Sequence, residues 1–374
     1  MRPHVDRRQA RVLALVRERG TARVAELARE LGMSPVTLRR DVEAMAARGE
    51  IQRTHGVISR RESDLAGAEP GAACDRTGAG TDTGTGRERG AAGLVIGMVV
   101  PTTEYYFADV VRGAREVVEA RGARLTVGLT RYLAGEDRTQ ADRLLSTGAD
   151  GLLLTPTWRT GTPGPGEGAW TAELPVPTVL VERWAPPGHP AASLDRVASD
   201  HADGAARAVR HLAELGHQRI ALASRETPTS GRLRTGFEAA VATLGLEPPP
   251  AWPAAGAASL AEAEAFARTL DYLCAAVAEG GVTAALIHSD TDAIMLIPRL
   301  QARGVRVPED LAVITYDDEV AELADVPLSA VAPAKREVGA RAAGMLLDRL
   351  ADRAAGREGP RQHLDLLPRL TVRP

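Results

Sequence analysis

The stretch ASDHADGAARAVRHLAELGHQRIALAS, residues 198–224, places an amphipathic segment directly before a short apolar one. Residues 205–215 have the spacing of a helix with one apolar face, and residues 219–223 have the length of a buried strand. The same alternation runs through the chain from Leu94 onward. Alternating strands and helices are typical of a parallel sheet covered by helices, so this region is predicted to be α/β.

Seven strands are the clearest in that region, and amphipathic helices lie between them. The predicted strands are 94–100, 124–129, 151–154, 178–181, 219–223, 284–288 and 311–315. The predicted helices include 106–120 and 205–215. Two stretches rich in Gly and Pro, 161–168 and 248–253, are predicted to be surface loops because these residues interrupt regular structure.

Charge is unevenly distributed along the 374-residue chain. Residues 1–61 carry 14 Arg against 7 Asp and Glu, a net of +7, so the remainder carries −10 of the total of −3. A basic head suits a polyanion, and an acidic body indicates a different task. Residues 62–92 are rich in Gly, Ala, Thr and Asp, and they are predicted to be a flexible linker because they can bury little apolar surface. The predicted domains are therefore 1–61, 62–92 and 93–374.

Composition and motifs exclude several classes of protein. Cys74 and Cys274 stand 200 positions apart, which excludes a zinc framework or a disulfide scaffold, and no metal site is expected. No apolar run reaches the ~20 residues that cross a bilayer, and no secretory signal begins the chain, so we expect a cytoplasmic protein without a membrane partner. No strand is followed by GxGxxG, and GxxxxGK[ST], GxSxG and HExxH do not occur. We therefore expect no enzyme activity, no catalytic residue and no cofactor.

The basic head has the signals of a winged helix-turn-helix. Helices are predicted over 8–19, 24–31 and 34–48, and the third starts with Ser34 as N-cap and Pro35 at the first helical position. Only a tight turn separates the last two, so the third helix can enter a major groove about 12 Å wide. Residues 50–59 are predicted to form a hairpin wing that turns near His55. The candidate DNA-binding residues are Ser34, Val36, Thr37, Arg39, Arg40, Arg53 and His55.

The head resembles the DeoR-type winged helix. VAELARELGMSPVTLRRDVEAMAARGEIQRTHG, residues 24–56, is similar to that family's ELA, short turn, Ser-x-x-Thr, Arg-Arg-Asp and Arg-x-His-Gly pattern over about 50 residues. The resemblance implies binding to double-stranded DNA, with the arginines on guanine edges or phosphates. The alternative is a helical hairpin that serves only dimerisation, with Arg39 and Arg40 merely solvated.

The body resembles the effector domain of LacI/GalR regulators, which is related to periplasmic sugar-binding proteins. The similar blocks are residues 96–130, GADGLLL at 148–154, residues 198–224, ALIHSDTDAI at 285–294 and GVRVPEDLAVITYDDEVAELADVPLSAV at 304–331. They follow the family's order over roughly 280 residues. The resemblance implies two α/β lobes joined by three crossovers around a small sugar-like effector. The first lobe is predicted at about 94–197 and 316–331, and the second at about 198–315 and 332–374.

Ligands of open α/β sheets bind beyond the carboxyl ends of the strands. The loops there supply the candidate ligand-binding residues Tyr105, Tyr106, Phe107, Trp158, Arg232, Arg234, Asp290 and Tyr316. Aromatic rings can stack on a pyranose, while an aspartate or arginine can take two hydroxyls. Each has an alternative: Tyr106 and Phe107 can be core residues, and Asp290 can be only a helix N-cap.

Two departures from the family's pattern bear on the ligand. Glu104, Tyr105, Tyr106 and Phe107 stand where the family has an Asn-Pro-Phe run, which changes the polarity of the pocket. Leu233, between Arg232 and Arg234, stands where the family has its binding arginine. The predicted function is a homodimeric transcription regulator, a repressor, that responds to a sugar-like effector. The alternative is a cytoplasmic sugar-binding module whose head binds a protein.

Overall fold

The computed structural model describes residues 21–23, 52–54, 57–59, 93–133, 135–251 and 262–373. The chain divides into two compact units, Met1–Thr85 and Gly86–Pro374. The described strands of the first unit are β1 (Thr21–Arg23), β2 (Gln52–Thr54) and β3 (Val57–Ser59), arranged as an antiparallel sheet in the order β1-β3-β2.

The pairing of β2 with β3 confirms the predicted hairpin, because Thr54 is opposite Val57 and residues 55 and 56 join the strands. Strand β1, which pairs with β3, was not predicted. The three predicted helices of the head and the predicted linker, 62–92, lie outside the described residues.

The second unit contains eleven described strands, which are distributed along its whole length. They are β4 (Val95–Val100), β5 (Arg124–Leu129), β6 (Gly151–Leu154), β7 (Thr178–Val181), β8 (Asp195–Ser199), β9 (Ile220–Ser224), β10 (Ala284–His288), β11 (Ala312–Tyr316), β12 (Ser329–Ala332), β13 (His363–Leu366) and β14 (Arg369–Thr371). The seven predicted strands agree with these to within one residue at each end.

The helices of this unit lie between the strands. They are α1 (Tyr106–Ala120), α2 (Glu136–Ser146), α3 (His201–Glu214), α4 (Ser230–Thr243), α5 (Glu262–Ala278), α6 (Asp290–Ala302) and α7 (Lys335–Ala354). Helix α1 has the predicted bounds, and α3 begins four residues before the predicted start because the Asp200 carboxylate caps it by accepting from the Asp203 N–H at 3.0 Å.

Two sheets define two lobes. Lobe 1 has a six-stranded parallel sheet in the order β13-β8-β7-β6-β4-β5, and lobe 2 has a five-stranded sheet in the order β14-β12-β11-β10-β9, in which only β14 is antiparallel. Strands β6 and β7 are buried at every residue, as expected for strands with helices on both faces.

Helices α1 and α7 cross closely on lobe 1. A Cβ added to Gly113 would lie 1.9 Å from the carbonyl oxygen of Arg336, and one added to Gly339 would lie 1.9 Å from that of Val110. Each helix therefore needs a glycine where its partner's backbone passes.

The lobe boundaries differ from the predicted ones. The chain crosses between lobes near Asp200, as predicted, but it then stays in lobe 2 until β12, which pairs with β11. It returns to lobe 1 only before α7 and leaves it again between β13 and β14. Residues 316–331 thus belong to lobe 2 and most of 332–366 to lobe 1, because hydrogen bonding to β11 and β8 decides where the short late strands lie. None of the described helices is long and apolar enough to cross a membrane.

Candidate ligand-binding site

A cavity of about 190 Å³ lies between the lobes, beyond the carboxyl ends of the strands. Its wall on lobe 1 comes from the loops after β4, β5 and β7, and its wall on lobe 2 comes from the start of α3 and the loops after β9, β10 and β11. The lining residues are Tyr105, Tyr106, Phe107, Tyr132, Glu182, Arg183, His201, Arg225, Thr227, Pro228, Thr229, His288, Ser289, Asp292 and Asp317. Two larger hollows, of about 480 Å³ each, are lined by lobe 2 alone.

Backbone strain is concentrated at this cavity. Five non-glycine residues of the described chain have positive φ, and four of them line it: Tyr105, Tyr132, Glu182 and Asp317, with φ between 49° and 71°. Such conformations persist only where the surrounding structure enforces them, and they cluster at functional sites. The cavity is therefore a built site and not a chance gap between lobes.

Tyr105 links the two walls. Its phenol donates to Oδ1 of Asp290 on lobe 2 and lies 3.4 Å from Oδ2 of Asp317. The other oxygen of Asp290 accepts the N–H groups of Glu319 and Val320, both at 2.7 Å. Burial, followed by the charges of Asp317 and Asp290, raises the pKa of the Tyr105 phenol, so it stays a donor. Asp290 is fully buried, and protein groups occupy both of its oxygens.

Glu182 is the centre of a polar network on the floor of the cavity. Oε1 accepts the Tyr106 hydroxyl at 2.7 Å, and Oε2 accepts the Ser199 N–H at 3.1 Å. His201 Nε2 lies 3.4 Å from Oε2, and its Nδ1 is 2.9 Å from the Tyr316 hydroxyl. Burial alone would raise the pKa of Glu182, but the hydrogen bonds and charge of His201 and the bond from Tyr106 outweigh it and hold that pKa below its usual value.

Two arginines line the cavity, one from each lobe. Arg225 of lobe 2 forks onto Asp292, with Nε at 2.8 Å from Oδ2 and Nη2 at 2.9 Å from Oδ1. Arg183 of lobe 1 is 3% exposed, and its Nε and Nη1 donate to the carbonyl oxygens of Pro156, at 2.6 Å, and Glu182, at 2.7 Å. Its Nη2 has no hydrogen-bond partner among the described residues.

His288, Asp317 and Lys335 form the remaining titratable cluster. Burial, then the charges of His201 and Arg225, lowers the pKa of His288 to about 3, so the ring is neutral at physiological pH. Burial raises the pKa of Asp317 to about 6 against the opposing charge of Lys335, whose Nζ is 3.8 Å from Oδ1. Lys335, the only lysine in the sequence, also pairs with Glu319.

The predicted ligand-binding residues fall into three groups. Tyr105, Tyr106 and Phe107 line the cavity, and Asp290 lies beside it, held by Tyr105. Trp158 and Tyr316 do not line it: both are almost fully buried, Trp158 in the core of lobe 1 and Tyr316 in that of lobe 2.

The two predicted arginines also lie away from the cavity wall. The Arg232 guanidinium is 4.8 Å from the centroid of the Trp184 ring, and Arg234 lines one of the hollows confined to lobe 2. Those two arginines belong to a helix, α4, of which Leu233 is the residue turned into the core. Packing of α4 against the core of lobe 2 therefore decides which of its side chains are buried, and the sequence motif alone did not show this.

The sequence reasoning missed Glu182, Arg183, Arg225 and Asp292. The signal was present, because TVLV is followed at once by Glu182 and Arg183, and IALAS by Arg225. Charged residues directly after an apolar strand lie at the edge where ligands bind.

The predicted DNA-binding residues lie almost wholly outside the described residues. The exception is Arg53, whose backbone is in β2 opposite Ile58.

Fold and cleft together define a two-lobed ligand-binding domain of the periplasmic-binding-protein type. Residues 209–374 match the family described as periplasmic binding protein-like domain, and residues 8–63 match the DeoR-like helix-turn-helix domain. The chain is 30% identical over 286 residues to the HTH-type transcriptional repressor PurR of Haemophilus influenzae (strain PittEE), covering 74% of this chain and 80% of that one.

Two further relatives agree. The HTH-type transcriptional repressor CytR of Escherichia coli (strain K12) is 25% identical over 274 residues, which is 72% of this chain and 76% of CytR. The structure of a LacI family transcriptional regulator from Mycobacterium smegmatis matches with a TM-score of 0.59 at 26% identity, over 74% of this chain and 97% of that one. The chain belongs to the LacI family and is a DNA-binding transcription regulator, and the relatives named here are regulators and not enzymes.

Proposed function

We propose that this chain is a repressor whose affinity for its operator is set by a small sugar-like molecule bound between the lobes. The observation that carries the proposal is the cavity with a wall from each lobe and strained backbone around it. Tyr105 of lobe 1 joins the two walls by its hydrogen bond to Asp290 of lobe 2. A ligand that contacts both walls favours one arrangement of the lobes over another. It can shift the affinity for the operator only as far as its own affinities for those two arrangements differ.

The size and chemistry of the cavity support a single small polyol. A cavity of about 190 Å³ has room for a ligand of the size of one sugar unit. Aromatic rings of Tyr105, Tyr106 and Tyr132 lie beside charged donors and acceptors, the combination that binds a sugar face and its hydroxyls.

The DNA arm of the proposal rests on the head. Operator DNA is obtained by selection from random duplexes, and binding is then followed by fluorescence anisotropy over a salt series. We expect Arg40→Ala to weaken specific binding by about 1–3 kcal/mol and to lower the salt slope only slightly. Arg19→Ala, which removes the same charge from the predicted first helix, is the matched control.

Two outcomes separate this function from the alternative. A salt slope near zero on random DNA would favour a head that binds a protein. An unchanged ratio of specific to random affinity in Arg40→Ala would mean that Arg40 contacts only phosphate or lies off the DNA.

We also propose that two chains pair, because one short head offers few phosphate contacts and two multiply them. Lobe 2 carries exposed apolar side chains at Leu215, Leu323 and Val326 around one of its hollows, which supports an interface between copies. Sedimentation of the full chain with operator tests this: one chain bound per operator at full affinity would contradict it.

The predicted linker suggests loose coupling between heads and bodies. On its Gly, Ala and Thr composition we propose that the protein tolerates varied spacing of half-sites, including direct repeats. Footprints on operators with two base pairs inserted between half-sites should show little loss of binding, whereas a sharp loss would contradict loose coupling.

A further inference from the structure

The cavity is lined by one buried positive charge that makes no direct ion pair with the described residues. Arg183 is 3% exposed, yet none of the carboxylates of the described chain lies within 4.0 Å of its guanidinium. Carbonyl oxygens of Pro156 and Glu182 hold its Nε and Nη1. Buried charges in proteins are normally paired, because an unpaired one loses its hydration without compensation.

The acidic groups around Arg183 are already engaged elsewhere. Glu182 accepts from Tyr106 and Ser199 and faces His201, while Asp292 is forked by Arg225. Asp137, another neighbouring carboxylate, accepts the N–H and the hydroxyl of Thr157 at 2.7 and 2.8 Å.

The remaining nitrogen of Arg183, Nη2, has no partner among the described residues. It is buried and carries two hydrogens, and the residue as a whole lines the cavity. Buried donors almost always have a partner, so an unsatisfied one on a residue that lines a cavity indicates a side chain that a ligand acceptor could engage.

We propose that the effector is an acid, a five- or six-carbon polyhydroxy carboxylate whose carboxylate pairs with Arg183. This rests on the proposed function, since it assumes that the cavity holds the effector. Any acceptor would satisfy Nη2, but only an anion also compensates the buried charge.

The test measures binding of matched sugars by calorimetry and thermal shift. The probes are D-glucose, D-galactose and D-ribose, the aldonic acid of each, the uronic acids of the two hexoses, and D-glucose 6-phosphate. The proteins are the full-length wild type, Arg183→Gln, Arg183→Lys and, as the control for a lost charge, Arg210→Gln, because Arg210 is exposed.

We expect at least one acid to bind the wild type about 100-fold more tightly than its neutral parent sugar. In Arg183→Gln, the affinity for that acid should fall about 100-fold, while the affinity for the neutral sugar should change little. Arg183→Lys should keep part of the preference because it keeps the charge, and Arg210→Gln should match the wild type. Folding of each variant is checked by its thermal transition without ligand.

Three results would overturn the proposal. They are a neutral sugar that binds as tightly as its acid or more tightly, an acid affinity that is unchanged in Arg183→Gln, and a phosphate ester that binds in preference to the carboxylates. The first and third would leave the proposed function intact with a different effector. Binding of no probe to the wild type would contradict the sugar-like effector of the proposed function as well.

Discussion

The two walls of the cleft each present an arginine, but only one wall neutralises its own. On lobe 2, Asp292 takes both ends of the Arg225 fork. On lobe 1, Arg183 is held by carbonyl oxygens, which fix its position without cancelling its charge. An arginine of the first kind stabilises the fold, whereas one of the second kind is free of a direct ion pair with the described residues and so suits the ligand proposed above.

The largest expected effect compares the unfolding of Arg225→Gln and Arg183→Gln without ligand. Arg225→Gln leaves Asp292, whose side chain is 6% exposed, without its cation, and we expect it to lose about 2 kcal/mol of unfolding free energy because part of Arg225 is solvated. Arg183→Gln should lose about 1 kcal/mol, because the amide still reaches a carbonyl and an uncompensated charge is removed. Urea denaturation measures both.

A reversal of that order would break the comparison. If Arg183→Gln unfolds more readily than Arg225→Gln, the charge of Arg183 is compensated inside the protein and its role is structural. The double variant sharpens the result: the two losses add if the two arginines contribute independently to stability.

The direct link between the walls gives the next effect. Tyr105→Phe removes the hydrogen bond to the buried carboxylate of Asp290, and we expect a loss of about 1.5 kcal/mol, at the low end for a bond to a charged group because Tyr105 is 38% exposed. Hydrogen exchange should also quicken at Glu319 and Val320, whose N–H groups share that carboxylate.

Tyr132→Phe is the control for this change, because the Tyr132 hydroxyl makes no hydrogen bond among the described residues and the ring lines the same cavity. Equal losses in the two variants would mean that the Tyr105 hydroxyl does not join the lobes in solution.

The smallest effect is a pH dependence with opposite signs within one cluster. His288 has a pKa of about 3 in the folded state and about 6.5 unfolded, so its contribution to stability is lost as pH falls below 6.5. Asp317 has a raised folded pKa of about 6, so its protonation stabilises the fold as pH falls through 6 towards 4.

The variants His288→Asn and Asp317→Asn separate these contributions. When the pH falls from 8 to 6, the unfolding free energy of His288→Asn should decrease by about 0.8 kcal/mol less than that of the wild type. Asp317→Asn should instead lose slightly more. Thermal melts at pH 8, 7, 6 and 5 measure both, and parallel curves for all three proteins would contradict the burial of these groups.

The local pattern of the sequence was enough for most elements of the body. Short, largely apolar runs predicted seven strands of the body to within one residue, because most of these strands are buried between helices and their apolar residues stand next to one another in the sequence. Strands β8, β12, β13 and β14 were missed, since DRVAS, HLDL and RLT carry polar residues that suit a strand only once a sheet edge receives them.

The candidate site was predicted only in part. Tyr105, Tyr106 and Phe107 follow the first strand of the sheet and line the cavity, as their position predicts. Trp158 follows a strand in the same way, yet it packs into the core of lobe 1 with Gly168 against its ring. A position after a strand places the backbone at the binding edge, but the rotation of the loop decides whether the side chain faces the ligand or the core.

The sequence by itself determined that this chain has a basic helix-turn-helix head and an α/β body with a sensor's motifs, because charge, capping residues and apolar periodicity are local properties. Tertiary structure alone decided which lobe receives the last strands, that Tyr105 meets Asp290 across 185 residues of chain, and that Arg183 makes no direct ion pair within the described part of the chain. Those facts depend on which distant groups are brought together and which are kept apart, and a local pattern carries no information on either.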